Sequence, residues 1–252
     1  MSSCSSRLAV LVLVACAAIA VSPIGAAADT PRCRAALSKE TAKLASAVAK
    51  ARHRCAESVA AGALPATTDC ATEAKASATV AKATAKMRAG IAKACGGANR
   101  LCNAGDTGAD ADVALAVIGW DGGTCPGIVG AECTAAVGDC GDVATCLACA
   151  TAGGIAGVTD LVYGGFAAPT GPAAKAVRGC QQALGKETAK LLGLRAKILD
   201  RCWSAVAKGK TGYAAPCPAG DASGGTAMAL ARAASKRDAK VCRACGGPDG
   251  AC

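Results

Sequence analysis

Aromatic side chains are scarce in this sequence: one Phe, two Trp and two Tyr among 252 residues. Trp120, Tyr163, Phe166, Trp203 and Tyr213 are the only large core candidates of that kind. So few rings argue against nucleic-acid recognition by base stacking. Histidine is rarer still, and His53 stands alone. Any histidine-dependent triad would have to form around it, and no acidic or nucleophilic pattern nearby recommends one. Placed between Arg52 and Arg54 on a basic helix face, it reads as a solvated surface side chain. Long apolar runs are missing too. After residue 28 no segment reads as long and uncharged enough to span a bilayer, which takes ~20 residues.

What the chain does have is alanine and cysteine. Residues 1–28 have the layout of an export signal: Arg7, an apolar run from Leu8 to Val21, then Ala26, Ala27 and Ala28 before Asp29. Cleavage is expected after Ala28. An alternative uses Leu13, Val14, Ala15 and Cys16, which resemble a lipobox and would make Cys16 a lipid-anchored amino terminus. Cleavage at Ala28 removes Cys4 and Cys16 and leaves 16 of the 18 cysteines. An even number of that size in an exported chain predicts a disulfide framework. Alanine buries little area at ~25 cal/mol per Å², so covalent links are expected to supply part of the stability.

Charge divides the chain into three blocks. Residues 29–102 carry 13 Lys and Arg against 5 Asp and Glu, residues 103–179 carry 2 against 8, and residues 180–252 carry 12 against 5. Two basic arms flank an acidic centre that holds 16 glycines.

The arms are related. Residues 33–62 align without a gap to residues 180–209, with 16 of 30 positions identical and KETAKL unchanged. Cys70 and Cys217 each follow the preceding cysteine by 15 residues. The arms close with KACGGANRLC (93–102) and RACGGPDGAC (243–252). Each arm reads as two helices. Leu184, Leu191, Leu194, Ile198, Cys202 and Val206 form one stripe on a helix starting near Cys180, widened by Leu192, Leu199 and Trp203. Gly62 and Gly209 should stop the first helix of each arm, with Pro65 and Pro216 in the connections. Second helices are expected from about Thr68 to Ala94 and from about Gly225 to Ala244.

Helical spacing then constrains the cystines. Cys33 and Cys55 sit roughly 33 Å apart on one helix, and Cys70 and Cys95 about 37 Å apart on the next, at 1.5 Å per residue, so neither pair can bond within itself. Antiparallel helices bring Cys55 level with Cys70 and Cys33 level with Cys95. The second arm pairs Cys202 with Cys217, and Cys180 with either Cys242 or Cys245. The eight remaining cysteines allow 105 pairings. The fold class expected is therefore mainly α: two disulfide-stapled antiparallel helical hairpins, 29–102 and 180–252, flanking a Gly- and Cys-rich loop region, 103–179. A short helix from about Asp142 to Ala152, resuming from Ile155 to Tyr163, is the element expected in that centre.

The runs CQQALGKETAKLL, DRCWSAVAKGK, RACGGPDGAC, IGWDGGTCP and CGDVATCLAC resemble an uncharacterised group of bacterial secreted, cysteine-rich repeat proteins, over most of residues 33–252. The resemblance carries no activity or ligand. It implies a unit of hairpin plus cysteine-rich centre, here one full unit and a second that stops after its hairpin, so that Cys252 would mark a truncation.

Candidate chemistry is thin. Asp106, Thr107, Gly108 and Ala109 match an aspartic-protease half-site, but Asn103, Ala104 and Gly105 precede it instead of an apolar strand. Asp106, Asp110 and Asp112 could be called calcium ligands, yet the glycine and distal glutamate of a calcium loop are missing. Cys146 with Cys149, and Cys242 with Cys245, are CxxC pairs that could hold zinc or shuttle electrons; structural cystine is the better account in an exported chain. Neither is followed by His, which excludes the usual covalent haem attachment. Lys39, Lys43, Lys50, Arg52 and Arg54, with Lys186, Lys190, Lys197 and Arg201, form long basic rows able to attract anionic polymers. The expectation is a non-enzymatic secreted or envelope-associated structural or binding protein with no catalytic residues and no cofactor, whose partner is an anionic envelope polymer or a protein. The alternative is a redox or metal-binding protein using the CxxC pairs.

Overall fold

The computed structural model describes residues 29–120, 123–125, 133–164, 171 and 173–252. The export signal, the lipobox cysteine and the cleavage point after Ala28 lie outside them.

Helix α1 spans Thr30–Ala60, with Pro31 in its first turn and the Asp29 side chain accepting from the Arg32 N–H. Gly62, at φ 75°, takes the left-handed conformation that ends it. The chain returns through α2, Ala74–Cys95. That helix begins later than Thr68 because local polar groups claim the backbone first. Asp69 accepts from the Ala71 N–H, and the Glu73 carboxylate caps α2 by accepting from Lys75 and Ala76. Helix α3 is a single turn, Leu115–Ile118. Strands β1, Gly123–Thr124, and β2, Ala136–Val137, pair antiparallel with Gly123 opposite Val137.

The helix expected in the centre, about Asp142 to Ala152 and again Ile155 to Tyr163, is present in one piece and two residues longer at its start. Helix α4 runs unbroken over Cys140–Tyr163, through Gly153 and Gly154. Two glycines cost about 1 kcal/mol each in a helix interior. They are offset here by the Asp139 carboxylate accepting from Gly141 and Asp142 at the N-terminus, and by burial of Val143, Ala144 and Ile155. Length and composition also make α4 a helix that could cross a membrane, with mean hydropathy 1.4 over its best window, contrary to the reading that no such segment follows residue 28. In this fold it packs instead on α1, α2 and, less extensively, α5.

Helix α5, Ala174–Ala207, starts six residues before Cys180, because the alanine-rich stretch ahead of that cysteine continues the helix. Gly209, at φ 62°, follows its end as Gly62 follows that of α1. Helix α6, Gly225–Cys245, returns along α5. The four hairpin helices stand in a row, α2–α1–α5–α6. At the middle of the row α1 and α5 run antiparallel: Gly193 approaches Ser46, and Gly185 approaches His53. Ser46 and Gly193 are aligned positions of the two related segments, so the hairpins meet about an approximate two-fold through that contact.

The core is lopsided. Leu44, Val48, Met87, Ile91 and Val143, with Cys33, Cys95 and Cys140, are nearly inaccessible where α4 lies over the first hairpin. The second hairpin buries Leu191, Cys202 and Ala205. Leu194 and Trp203, expected within the apolar stripe, are 43% and 40% exposed. The stripe of α5 is wider than the surface that α6 covers.

Candidate functional site

Every cysteine among the described residues is in a disulfide. Cys33 joins Cys95, Cys55 joins Cys70, Cys180 joins Cys245 and Cys202 joins Cys217. Both hairpins are thus clamped at the turn and at the open end. The others are Cys102 with Cys140, Cys125 with Cys146, Cys133 with Cys149 and Cys242 with Cys252. Each CxxC pair is split between two different cystines, so neither is a dithiol couple or half of a zinc site here. Three of the bonds grip the first half of α4. Eight disulfides are the usage of an oxidising, extracytoplasmic compartment.

Asp112 lies close to the sulfurs of Cys102 and Cys140. Burial pushes its carboxyl above the ordinary range, and the charges of Asp139 and Asp106 add to the push. The two sulfurs are bonded to each other, and a cystine offers no thiolate to a metal. Asp106 is occupied by Asn99 Nδ2 at 2.7 Å, and Asp110 sits exposed in a 3-10 turn at Gly108–Asp110. The three aspartates are not gathered into one ligand set among the described residues.

His53 is not on the surface. Its side chain is 12% exposed, with Nδ1 2.8 Å from the Tyr163 hydroxyl and Nε2 3.4 Å from Glu57 Oε2. The Tyr163 O–H donating to Nδ1, with the Nε2–H turned to Glu57, satisfies all three groups. Burial lowers the His53 pKa; Glu57 opposes this, while Lys186 and Arg54 add to it. Burial, then the Glu57 charge, pushes the Tyr163 hydroxyl upward. The space between α1, α4 and α5 here is about 20 Å³, room for a water and no substrate. Glu57 is four residues along α1 from His53. That spacing, one helical turn, was the available sign in the sequence; Tyr163, 110 residues away, gave none.

The basic rows are divided by the fold. Lys43, Lys50 and Arg54 of α1 and Lys190 and Lys197 of α5 turn to the side of the helix row that α4 does not cover. Arg52 and Lys186 do not line that side. A groove of about 590 Å³ between α1 and α2 is bordered by Lys43, Lys50, Arg54 and Lys75. A second, of about 290 Å³ between α1, α5 and α6, is bordered by Lys50, Lys190, Lys197, Lys236, Arg237 and Lys240. Ser46 and Lys50 belong to both. The α6 cations and Lys75 were not among the sequence candidates. Their three- and four-residue spacing on α6 was visible, but which way that helix faces depends on its packing.

Two acids lie in these grooves, and each is engaged locally. The Glu73 carboxylate is spent on the first turn of α2. Glu187 accepts from Lys190 at 2.7 Å and pairs with Lys240 at 3.4 Å. Burial alone would raise its carboxyl; the hydrogen bonds from the two lysines outweigh that and hold it below the ordinary range. No aromatic ring lines either groove. Helix α4, on the other side, carries Asp142 and Asp160 and neither Lys nor Arg. The groove face of the row is basic, while α4 lays two carboxylates and no cation over the other face.

No protein-family profile, curated protein or solved structure matches the chain.

Proposed function

We propose that this protein is a non-enzymatic, secreted or envelope-associated binding module whose partner is an anionic polymer. The observation that carries this reading is the gathering of nine cations along one face of the helix row, against four locally engaged carboxylates: Glu73 and Glu187 in the grooves, and Glu40 and Asp238 paired with Lys43 and Arg237. An isolated row of lysines is an ordinary solvated helix face. Cations from α1, α2, α5 and α6 on one side of a stapled row supply a field no single helix provides. The signal-like residues 1–28, or acylation at Cys16, would deliver the chain to a compartment where its cystines persist. The resemblance to bacterial secreted proteins agrees with that destination.

Retention on a column of an acidic envelope polysaccharide tests this. Retention at low salt, lost as ionic strength passes about 0.15 M where the Debye length is about 8 Å, is the expected result. Passage without delay at low salt would remove the polyanion reading.

A further inference from the structure

Resting on that reading, we infer that the two grooves form one continuous site, that Lys50 is the ridge between them, and that the ligand is an unbranched polyanion crossing both hairpins.

The grooves share Ser46 and Lys50, so they adjoin rather than lie apart. Their floors include Ala47, Ala51 and Ala76 on one side and Ala189, Gly193 and Ala233 on the other. Small floors let a polymer backbone come close while long cationic side chains reach over it from the rims. Along α1, Lys43 and Lys50 are two turns apart, as are Lys190 and Lys197 on α5, about 10 Å in each case. Adjacent helices lie 8–10 Å apart, so the site measures about 25–30 Å from α2 to α6. A repeating anion matches such an array, and a small single anion does not. With no ring in the grooves, bases have nothing to stack on. The chemistry fits a carboxylate, sulfate or phosphate chain whose charges repeat at close intervals.

Crossing the row matters energetically. Once one groove is occupied, the linked remainder meets the second at a high effective concentration, provided it is long enough to reach. Affinity should therefore step up at the length that spans Lys50, instead of rising smoothly with charge. The hairpins meet at Ser46 and Gly193 without a disulfide between them, so a bridging chain would also brace that contact.

The test uses the oxidised protein with polygalacturonate and inorganic polyphosphate, each as short oligomers and as long chains, in titration calorimetry at fixed low salt. Lys50→Glu is compared with Arg195→Glu, which changes charge equally at an exposed α5 position outside both grooves. Thermal melting checks that both variants remain folded. The site predicts that Lys50→Glu weakens long-chain binding about tenfold or more, from reversing a contact charge, while Arg195→Glu changes it by no more than about twofold. The step with length should vanish in Lys50→Glu. Equal losses in the two variants, or no step with length in the wild type, would overturn the bridging site while leaving polyanion binding intact. No binding of either polymer by the wild type would overturn both. Preference for one polymer names the source, uronate or phosphate.

Discussion

Gly185 has no side chain, and the Tyr163 hydroxyl occupies the place a Cβ would take, with His53 Nδ1 only 2.7 Å from it. The glycine therefore makes room for the hydrogen bond that fastens the end of α4 to α1. Gly185→Ala should cost about 1–3 kcal/mol by overpacking, exceeding the ~1 kcal/mol that alanine gains in a helix. Gly179, also in α5, has open space around its Cβ direction. Gly179→Ala should stabilise by up to about 1 kcal/mol. Urea midpoints of the two variants will show opposite signs if the packing is as described. The same cluster sets a pH dependence. His53 has its pKa lowered by burial from 6.5, so between the folded and unfolded values the unfolded chain binds more protons. Stability then falls as the pH drops below about 6.5. Unfolding wild type and His53→Gln at about pH 7.5 and pH 5 isolates this contribution, because the carboxylates are common to both proteins. The wild type should lose more on acidification; equal losses would show that His53 does not carry it.

At the scale of elements, the hairpins owe their integrity to cystines more than to side-chain volume. The 15-residue loop closed by Cys55–Cys70 should be worth about 3 kcal/mol, and the 62-residue loop closed by Cys33–Cys95 about 4 kcal/mol. Replacing each pair by Ser and measuring melting temperature should give the larger drop for the longer loop; a reversed order would mean that native strain or residual structure outweighs loop entropy. These hairpins were legible because the spacing of cysteines along a helix is a distance, and a rigid helix of known rise leaves few partners within reach. Helix α4 was legible only as two segments, about Asp142 to Ala152 and Ile155 to Tyr163, since Gly153 and Gly154 between them spell a break when read locally. The information that makes it one helix is tertiary: three disulfides and a face laid over Leu44, Val48 and Met87. His53 failed for the same reason, as a basic neighbourhood in sequence became an interior one under α4. The contrast between hairpins follows too. Eight residues before the open-end staple the first has Met87, 1% exposed, where the second has Arg237; Val48, equally buried, aligns with exposed Arg195. The sequence thus carries a covered face on one hairpin and a polar one on the other. What makes the basic face legible only in part is that a helix shows its periodicity in sequence but not its rotation in the row.

The whole molecule depends on a junction that no disulfide secures. Four cystines close the hairpins internally and none ties α1 to α5, so the row is held there by noncovalent packing alone. At its centre stands Gly193, buried, whose Cβ would come to 3.1 Å from Ser46 Oγ. Gly193→Ala asks the serine hydroxyl to yield by a few tenths of an ångström and should be nearly neutral, the crowding set against the ~1 kcal/mol that alanine gains in a helix. Gly193→Leu inserts a branched side chain at the same point and should cost about 1–3 kcal/mol or more, because the two helix axes must separate. Separation at the centre propagates, since the second groove on one side spans α1 and α5, and on the other Gly185 of α5 packs against the His53–Tyr163 contact. Small-angle scattering should show Gly193→Leu with a larger radius of gyration and melting should lose its single transition, while a peptide map still finds Cys33–Cys95, Cys55–Cys70, Cys180–Cys245 and Cys202–Cys217. An unchanged radius and one sharp transition would mean that α4, bridging the hairpins from the covered face, holds the row together without the glycine contact.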